Sequence, residues 1–315
     1  MIRRRPRRRL SGPFVLILTA IVLVAGCGQS VAPSSRSYPS PPRASGSGAA
    51  KPSSSASAAA SVVPSASPDV DVAMLEPVIG SGDDRRRVRV FVPDPLPTEP
   101  MPLVLFLHAS GETASVAVRN TRLDALAGRE GFIAAFPPAA DRAWAAQVTA
   151  GLSDSDVDER YLVALIDALA DQLPIDPGRV YVAGFSKGAV MAERMACQHA
   201  DRIAAAVVVA GAPWIGQACA PSRPVSILII HGSGDGTLRY SGAEELADTW
   251  RGLDGCPPPA SPAPLGPAAS VSTATDCDAG TSVSFVTVDN GWHTWFTTPD
   301  ATELAWRFFA EHGRR

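Results

Sequence analysis

Apolar and polar positions along the chain fall into short blocks whose period keeps switching. Arg86–Val92 alternates and reads as an opening β-strand. Leu103–Leu107 is continuously apolar, as a strand buried on both faces of a parallel sheet should be. Thr121–Arg129 has helical spacing and leads into the strand Phe132–Phe136. Asp156–Leu173 carries a stripe at Tyr161, Leu162, Leu165, Ile166 and Leu169, and Pro174 closes it. Arg179–Ala183 is a strand, Lys187–Gln198 a helix, and Ala205–Val209 and Ser226–Ile230 are buried strands. Gly242–Trp250 reads as a helix, Val283–Val288 as a strand and Asp300–Glu311 as a closing helix. Strands alternating with helices over this length predict an α/β fold: a mostly parallel sheet with helices on both faces.

The N-terminal residues fit none of these blocks. Six arginines precede Leu10, and an apolar run from Pro13 to Gly26 ends in Val24-Ala25-Gly26-Cys27. Basic region, apolar region and cysteine in that order resemble a bacterial lipoprotein leader over residues 1–26, with Cys27 as the lipidated residue. An ordinary cleaved leader and a twin-arginine export route are the alternatives. Residues 27–70 are rich in Ser, Pro and Ala and poor in large apolar side chains, so they predict a disordered tether. Residues 71–315 are then one folded α/β domain.

The whole chain has a formal charge of −3, and losing six arginines and no acids with the leader leaves about −9. That balance argues against nucleic-acid binding, which needs a basic footprint. With Cys27 set aside, four cysteines remain, an even count that suits disulfides in an exported protein. Three pairings are possible; the sequential one, Cys197 with Cys219 and Cys256 with Cys277, is favoured. No Cys-x-x-Cys occurs, so zinc is not expected, and nothing else in the pattern calls for a metal or cofactor.

The most informative stretch is Val-Tyr-Val-Ala-Gly-Phe-Ser-Lys-Gly, residues 180–188. A β-branched run ending in Gly-x-Ser-x-Gly before a helix is the pattern that lifts a serine hydroxyl out of a sharp strand-to-helix turn. Gly184 and Gly188 flank Ser186 where a tight turn leaves no room for a Cβ. A serine hydroxyl needs a base, and α/β-hydrolases carry nucleophile, carboxylate and histidine in that chain order. His293 meets the order and lies on a loop after the last strand. His108 and His231 follow apolar strands and read as structural; His199 and His312 read as surface residues. Asp235 follows a buried strand between Ser186 and His293, and Asp289 is its rival. The backbone amide of Lys187, with that of Ala109 or Ser110, is the candidate oxyanion hole. The Lys187 side chain reads as solvated or ion-paired. Trp214, Trp292 and Trp295 are weaker candidates for a substrate pocket, since core packing is the commoner fate of such rings.

The domain resembles the secreted esterases grouped with polyhydroxybutyrate depolymerases, feruloyl esterases and acetylxylan esterases, over most of residues 80–313. The resemblance is carried by Arg87–Pro93, Pro102–His108, Gly131–Pro137, Val157–Glu159, Asp176–Gly188, Met195–Asp201, Ile230–Asp235 and Gly291–Trp295. It implies the α/β-hydrolase fold and a triad of Ser186, Asp235 and His293, and the family's cysteines fall at positions 197, 219, 256 and 277. Five residues at four places depart from the family pattern. His108-Ala109 stands for His-Gly, Lys187 for a common Asn, Trp292 for the Gly before the histidine, and Phe296-Thr297 for Pro-Gly. The expected function is an exported, lipid-anchored serine carboxylic-ester hydrolase acting on a polyester, feruloyl or acetyl ester through an acyl-enzyme. A non-catalytic binding protein on the same scaffold is the alternative, and peptidase activity a third possibility.

Overall fold

The computed structural model describes residues 71–80, 84–146, 156–215 and 218–314. The predicted leader, Cys27 and the tether lie outside the described residues. The chain divides into two units, Met1–Val62 and Val63–Arg315, and the second holds everything described below.

Ten strands form one sheet. Its centre is parallel: β5 (Met101–Leu107) lies between β6 (Ile133–Phe136) and β7 (Ile175–Phe185), and β8 (Ala205–Val209), β9 (Ser226–Gly232) and β12 (Val283–Val288) follow in order. Both edges are antiparallel. On one side β4 (Arg89–Asp94) pairs with β6 and carries β1 (Asp71–Leu75). On the other, β11 (Ala269–Ala274) pairs with β12 and carries β10 (Ala263–Pro264). A small separate pair joins β2 (Val78–Ile79) to β3 (Arg86–Arg87).

The strict period of two in the central strands divides the core. Leu103, Leu105 and Leu107 of β5, with Val180 and Val182 of β7, point to one face. That face is covered by α3 (Val157–Ala170), α4 (Lys187–Gln198) and α5 (Tyr240–Leu253). Val104, Phe106, Tyr181 and Ala183 point to the other, under α1 (Ala114–Thr121), α2 (Leu123–Glu130) and α6 (Ala301–Glu311). Continuous apolar runs in the sequence are thus strands with helices on both sides.

The helix expected over Thr121–Arg129 corresponds to α2, and α1 before it was not foreseen. Arg122 between them adopts a left-handed conformation, φ 52°, where its N–H closes α1 on Val118 O at 2.8 Å and a second helix starts. Strands β1, β10 and β11 at the sheet margins were not foreseen either; β10 and β11 are made of small or polar residues, and the apolar Met74 and Leu75 of β1 are exposed. The two disulfides are Cys197–Cys219 and Cys256–Cys277. The first ties α4 to the segment after β8; the second closes the loop that holds Pro257–Pro267.

Candidate active site

The strand β7 runs directly into α4 with Ser186 at the corner, φ 56° and ψ −122°. That backbone is costly for a residue with a side chain, on the order of 1–3 kcal/mol, and the surroundings must hold it. They do so by close approach. A Cβ on Gly184 would stand 2.2 Å from Gly188 O, and one on Gly188 would stand 2.0 Å from Leu107 O. The Ser186 N–H donates to Val209 O at 3.0 Å, pinning the corner to the neighbouring strand.

Two loops from adjacent parallel strands meet the serine. His231 and Gly232 of β9 lie beside Thr287 and Val288 of β12, so the segments that follow run together. Ser233 N–H donates to Val288 O at 2.9 Å and Gly234 N–H to Gly291 O at 3.1 Å. Gly232 leaves no room for a Cβ, which would lie 2.1 Å from Gly291 O. This zipper fixes the loop of Asp235 against that of His293. His293 Nδ1 is 2.7 Å from Asp235 Oδ2, and His293 Nε2 is 2.9 Å from Ser186 Oγ. With Nδ1–H donating to the carboxylate, Nε2 accepts the serine hydroxyl proton.

Asp235 is buried, and burial pushes its carboxyl up. Hydrogen bonds from His293 and from the amides of Leu238 and Thr237 outweigh that effect and hold it below the ordinary value. A fixed anion is thereby kept behind the imidazole. The rival Asp289 is exposed.

His108 and His231 have the structural environments expected of them. His108 Nδ1 donates to Ala109 O at 2.8 Å while its Nε2 accepts Ala139 N–H at 3.2 Å; burial lowers its pKa. His231 Nε2 donates to Leu238 O at 2.9 Å and lies 3.4 Å from Asp235 Oδ2; burial lowers its pKa as well. His199 pairs with Glu159 at 2.7 Å and His312 with Ser282 Oγ at 2.8 Å.

The turn after β5 holds a feature the sequence reading did not single out. Ala109 N–H donates to Glu112 Oε2 at 3.2 Å, so this candidate oxyanion donor is already engaged. Ser110, which is exposed, and Lys187, at the first position of α4, are the other two candidates. Residues 138–146 brace the turn from behind. Trp144 Nε1–H donates to His108 O at 2.8 Å, and Gly111 N–H donates to Arg142 O at 2.7 Å. Asp158 is buried; it accepts from Arg86 at 2.5 Å and from the amides of Ala140 and Ala145 at 3.2 and 2.7 Å, anchoring that brace to α3. A Gly-Glu pair in a strand-ending turn carries no sequence signal strong enough to have marked Glu112.

The three tryptophans part company. Trp214 is buried, its ring under the Arg194 guanidinium at 4.9 Å. Trp295 is buried too, edge-on to Phe106 at 5.0 Å and donating to Thr302 Oγ1 at 3.0 Å. Both pack in the core, the commoner fate of such rings; Trp295 also borders a cleft with Asn120, Arg129 and Asp300 that none of the triad residues lines. Trp292, beside His293, is 77% exposed. Among the described residues, no group of three or more His, Cys, Asp and Glu side chains is placed to hold a metal ion.

Comparison with known proteins leads to esterases. A family model described as esterase PHB depolymerase matches residues 88–255. The chain is 28% identical to a putative esterase, NocK, from Nocardia uniformis subsp. tsuyamanensis, over 72% of this chain and 75% of the relative. It is 29% identical to a bifunctional acetylxylan esterase/xylanase from Neocallimastix patriciarum, over 74% of this chain but 34% of that larger protein. It is 27% identical to a feruloyl esterase B from Piromyces equi, covering 61% of this chain and 39% of the relative. Among solved structures, an acetyl xylan esterase from Aspergillus awamori superposes with a TM-score of 0.61 at 20% identity. That match covers 76% of this chain and 99% of the other, and it shows the shared α/β-hydrolase fold.

Proposed function

The chain belongs to the esterase PHB depolymerase family, and from that premise we propose that it is an exported serine esterase cleaving carboxylic esters through an acyl-enzyme. The observation that carries the reading is the continuous relay from Ser186 Oγ through His293 to Asp235, at 2.9 and 2.7 Å. In the first step the Ser186 proton passes to His293 Nε2 while Oγ bonds to the ester carbonyl carbon. The carbonyl electron pair moves onto oxygen, facing backbone amides that include Lys187 N–H. As the tetrahedral species collapses, the ester C–O bond breaks and His293 returns its proton to the leaving alcohol. Water then repeats the sequence, releasing the acid and restoring Ser186. Asp235 holds the imidazole tautomer and stabilises the imidazolium; it does not itself take the proton.

Acetyl esters of xylan and feruloyl esters, the substrates in the names of two relatives, are the proposed substrate class, with polyesters next in order. The disulfides suit an oxidising compartment. Cys27, after a basic and then an apolar run, supports a lipid anchor, which a Cys27→Ala variant released from the membrane fraction would test.

The decisive measurement is hydrolysis of 4-nitrophenyl acetate, acetylated xylan and methyl ferulate by the wild type and by Ser186→Ala. Loss of turnover on every ester that the wild type cleaves supports the reading. Equal rates in the two proteins would leave a binding protein on a hydrolase scaffold.

A further inference from the structure

We infer that Glu112 is a positioning residue for the oxyanion turn and that its charge determines which acyl groups the site accepts. The inference rests on the reading of Ser186 as nucleophile.

One residue closes the turn from Ala109 to Glu112 twice. The Glu112 N–H donates to Ala109 O at 3.1 Å, and the Glu112 carboxylate accepts the Ala109 N–H at 3.2 Å. Its second oxygen accepts from Asn120 Nδ2 of α1 at 3.4 Å. The side chain is half-buried and set directly before Thr113, which caps α1. The carboxylate therefore links β5, the turn and α1. By occupying the Ala109 amide it leaves Ser110 N–H as the donor from this turn that pairs with Lys187 N–H.

The geometry needs an acceptor at this position, but it does not need a charge. During acyl transfer, negative charge develops on the substrate oxygen, and amide dipoles are arranged to meet it. A full carboxylate bound to this turn opposes that charge. Arg142 reaches this turn from the bracing segment; it is exposed, and its guanidinium donates to Gly111 O rather than to Glu112. Two consequences follow. A neutral amide at position 112 preserves the hydrogen bond and removes the repulsion. An acyl chain carrying its own carboxylate close to the scissile carbonyl meets the same repulsion and is turned away, so the substrates are esters of uncharged acids.

The test compares the wild type with Glu112→Gln, Glu112→Ala and Ser186→Ala on 4-nitrophenyl acetate and on mono-4-nitrophenyl succinate. Glu112→Gln is expected to raise kcat on the acetate about three- to tenfold with KM unchanged, and to raise kcat/KM on the succinate further. Adding salt should narrow the gap between Glu112→Gln and the wild type, because mobile ions screen the charge. Glu112→Ala, which frees the turn, should lose about tenfold or more in kcat. If Glu112→Gln lowers activity as Glu112→Ala does, or treats the two esters as the wild type does, the charge has no such role. Activity surviving in Ser186→Ala would instead overturn the nucleophile assignment, a separate failure.

Discussion

Asp235 Oδ2 accepts from His293 Nδ1 at 2.7 Å, and Asp235 Oδ1 takes the amides of Thr237 and Leu238 at 2.8 and 2.9 Å. One oxygen orients the imidazole while the other is held by its own loop. Asp235→Asn keeps the shape and the loop contacts. It offers an amide in place of an anion, and an N–H facing His293 would turn the ring to the wrong tautomer. The expected result is a fall in kcat of about 10³–10⁴-fold with a small change in KM, measured on 4-nitrophenyl acetate. A drop of less than tenfold would mean that the carboxylate does not serve the histidine.

Glu193 lies on α4, two turns after Ser186, and is almost wholly enclosed; its carboxylate accepts Trp214 N–H at 2.6 Å. Burial pushes its pKa up to about 8 from an ordinary 4.5. Between those values the folded protein holds a proton that the unfolded chain has released. Stability contributed by this group is therefore full below pH 4.5 and is lost as pH rises towards about 8. Glu193→Gln, which cannot ionise, should melt close to the wild type at pH 5 and several degrees higher at pH 9, by calorimetry. A melting difference that is the same at both pH values would remove this account.

How much of this was legible in the sequence depends on how each residue is specified. Ser186 announces itself because Gly184 and Gly188 are demanded by contacts under 2.5 Å, a constraint that only a fixed local pattern satisfies. Asp235 and His293 were reachable because each ends a strand whose apolar run is plain, and parallel neighbours must deliver their loops to one rim. Strands β8 and β12 and helix α4 have the bounds read from the pattern, although α4 also buries the charged Glu193 and Arg194. Strand β11 was invisible: Ala269–Ala274 is half-exposed, and what pairs it is the register with β12, including Thr273 Oγ1 to Ser284 Oγ at 3.0 Å. Glu112 was invisible for a similar reason. Its importance comes from one tertiary hydrogen bond, and no periodicity encodes that. The tryptophans stayed open in the sequence because an aromatic in a loop near a site can face either way.

The Cys256–Cys277 bridge closes a loop of 21 residues that includes the proline-rich segment and the edge strands β10 and β11. In the chain-entropy picture, such a closure contributes about 3 kcal/mol by restricting the unfolded chain. Replacing both cysteines with alanine should lower the melting temperature by roughly 6–12 °C, at about 2–4 °C per kcal/mol for a domain of this size. The triad is carried by β7, β9 and β12, not by that loop, so kcat on a small nitrophenyl ester should stay within about twofold at 25 °C. A matched loss of kcat would mean that the edge strands shape the site.

Gly188 links the fold to the chemistry most tightly. It is the second residue of α4, a position where alanine normally favours the helix by about 1 kcal/mol. Here an added Cβ would stand 2.0 Å from Leu107 O and 2.5 Å from His108 O, both backbone atoms at the end of β5. Neither can withdraw cheaply, because Leu107 pairs with Gly184 of β7 and His108 O also accepts from Trp144. Gly188→Ala must then push α4 away from β5, moving the Lys187 amide relative to the turn that carries Ser110. The helix-propensity gain is outweighed by overpacking against main chain, a loss of about 3 kcal/mol or more. Turnover should fall over 100-fold even in the fraction that stays folded, since misplacing oxyanion donors by an ångström has that effect. The check pairs thermal melting with reactivity toward a fluorophosphonate. A variant that melts as the wild type does and labels Ser186 at the wild-type rate would show that α4 does not need to lie this close to β5.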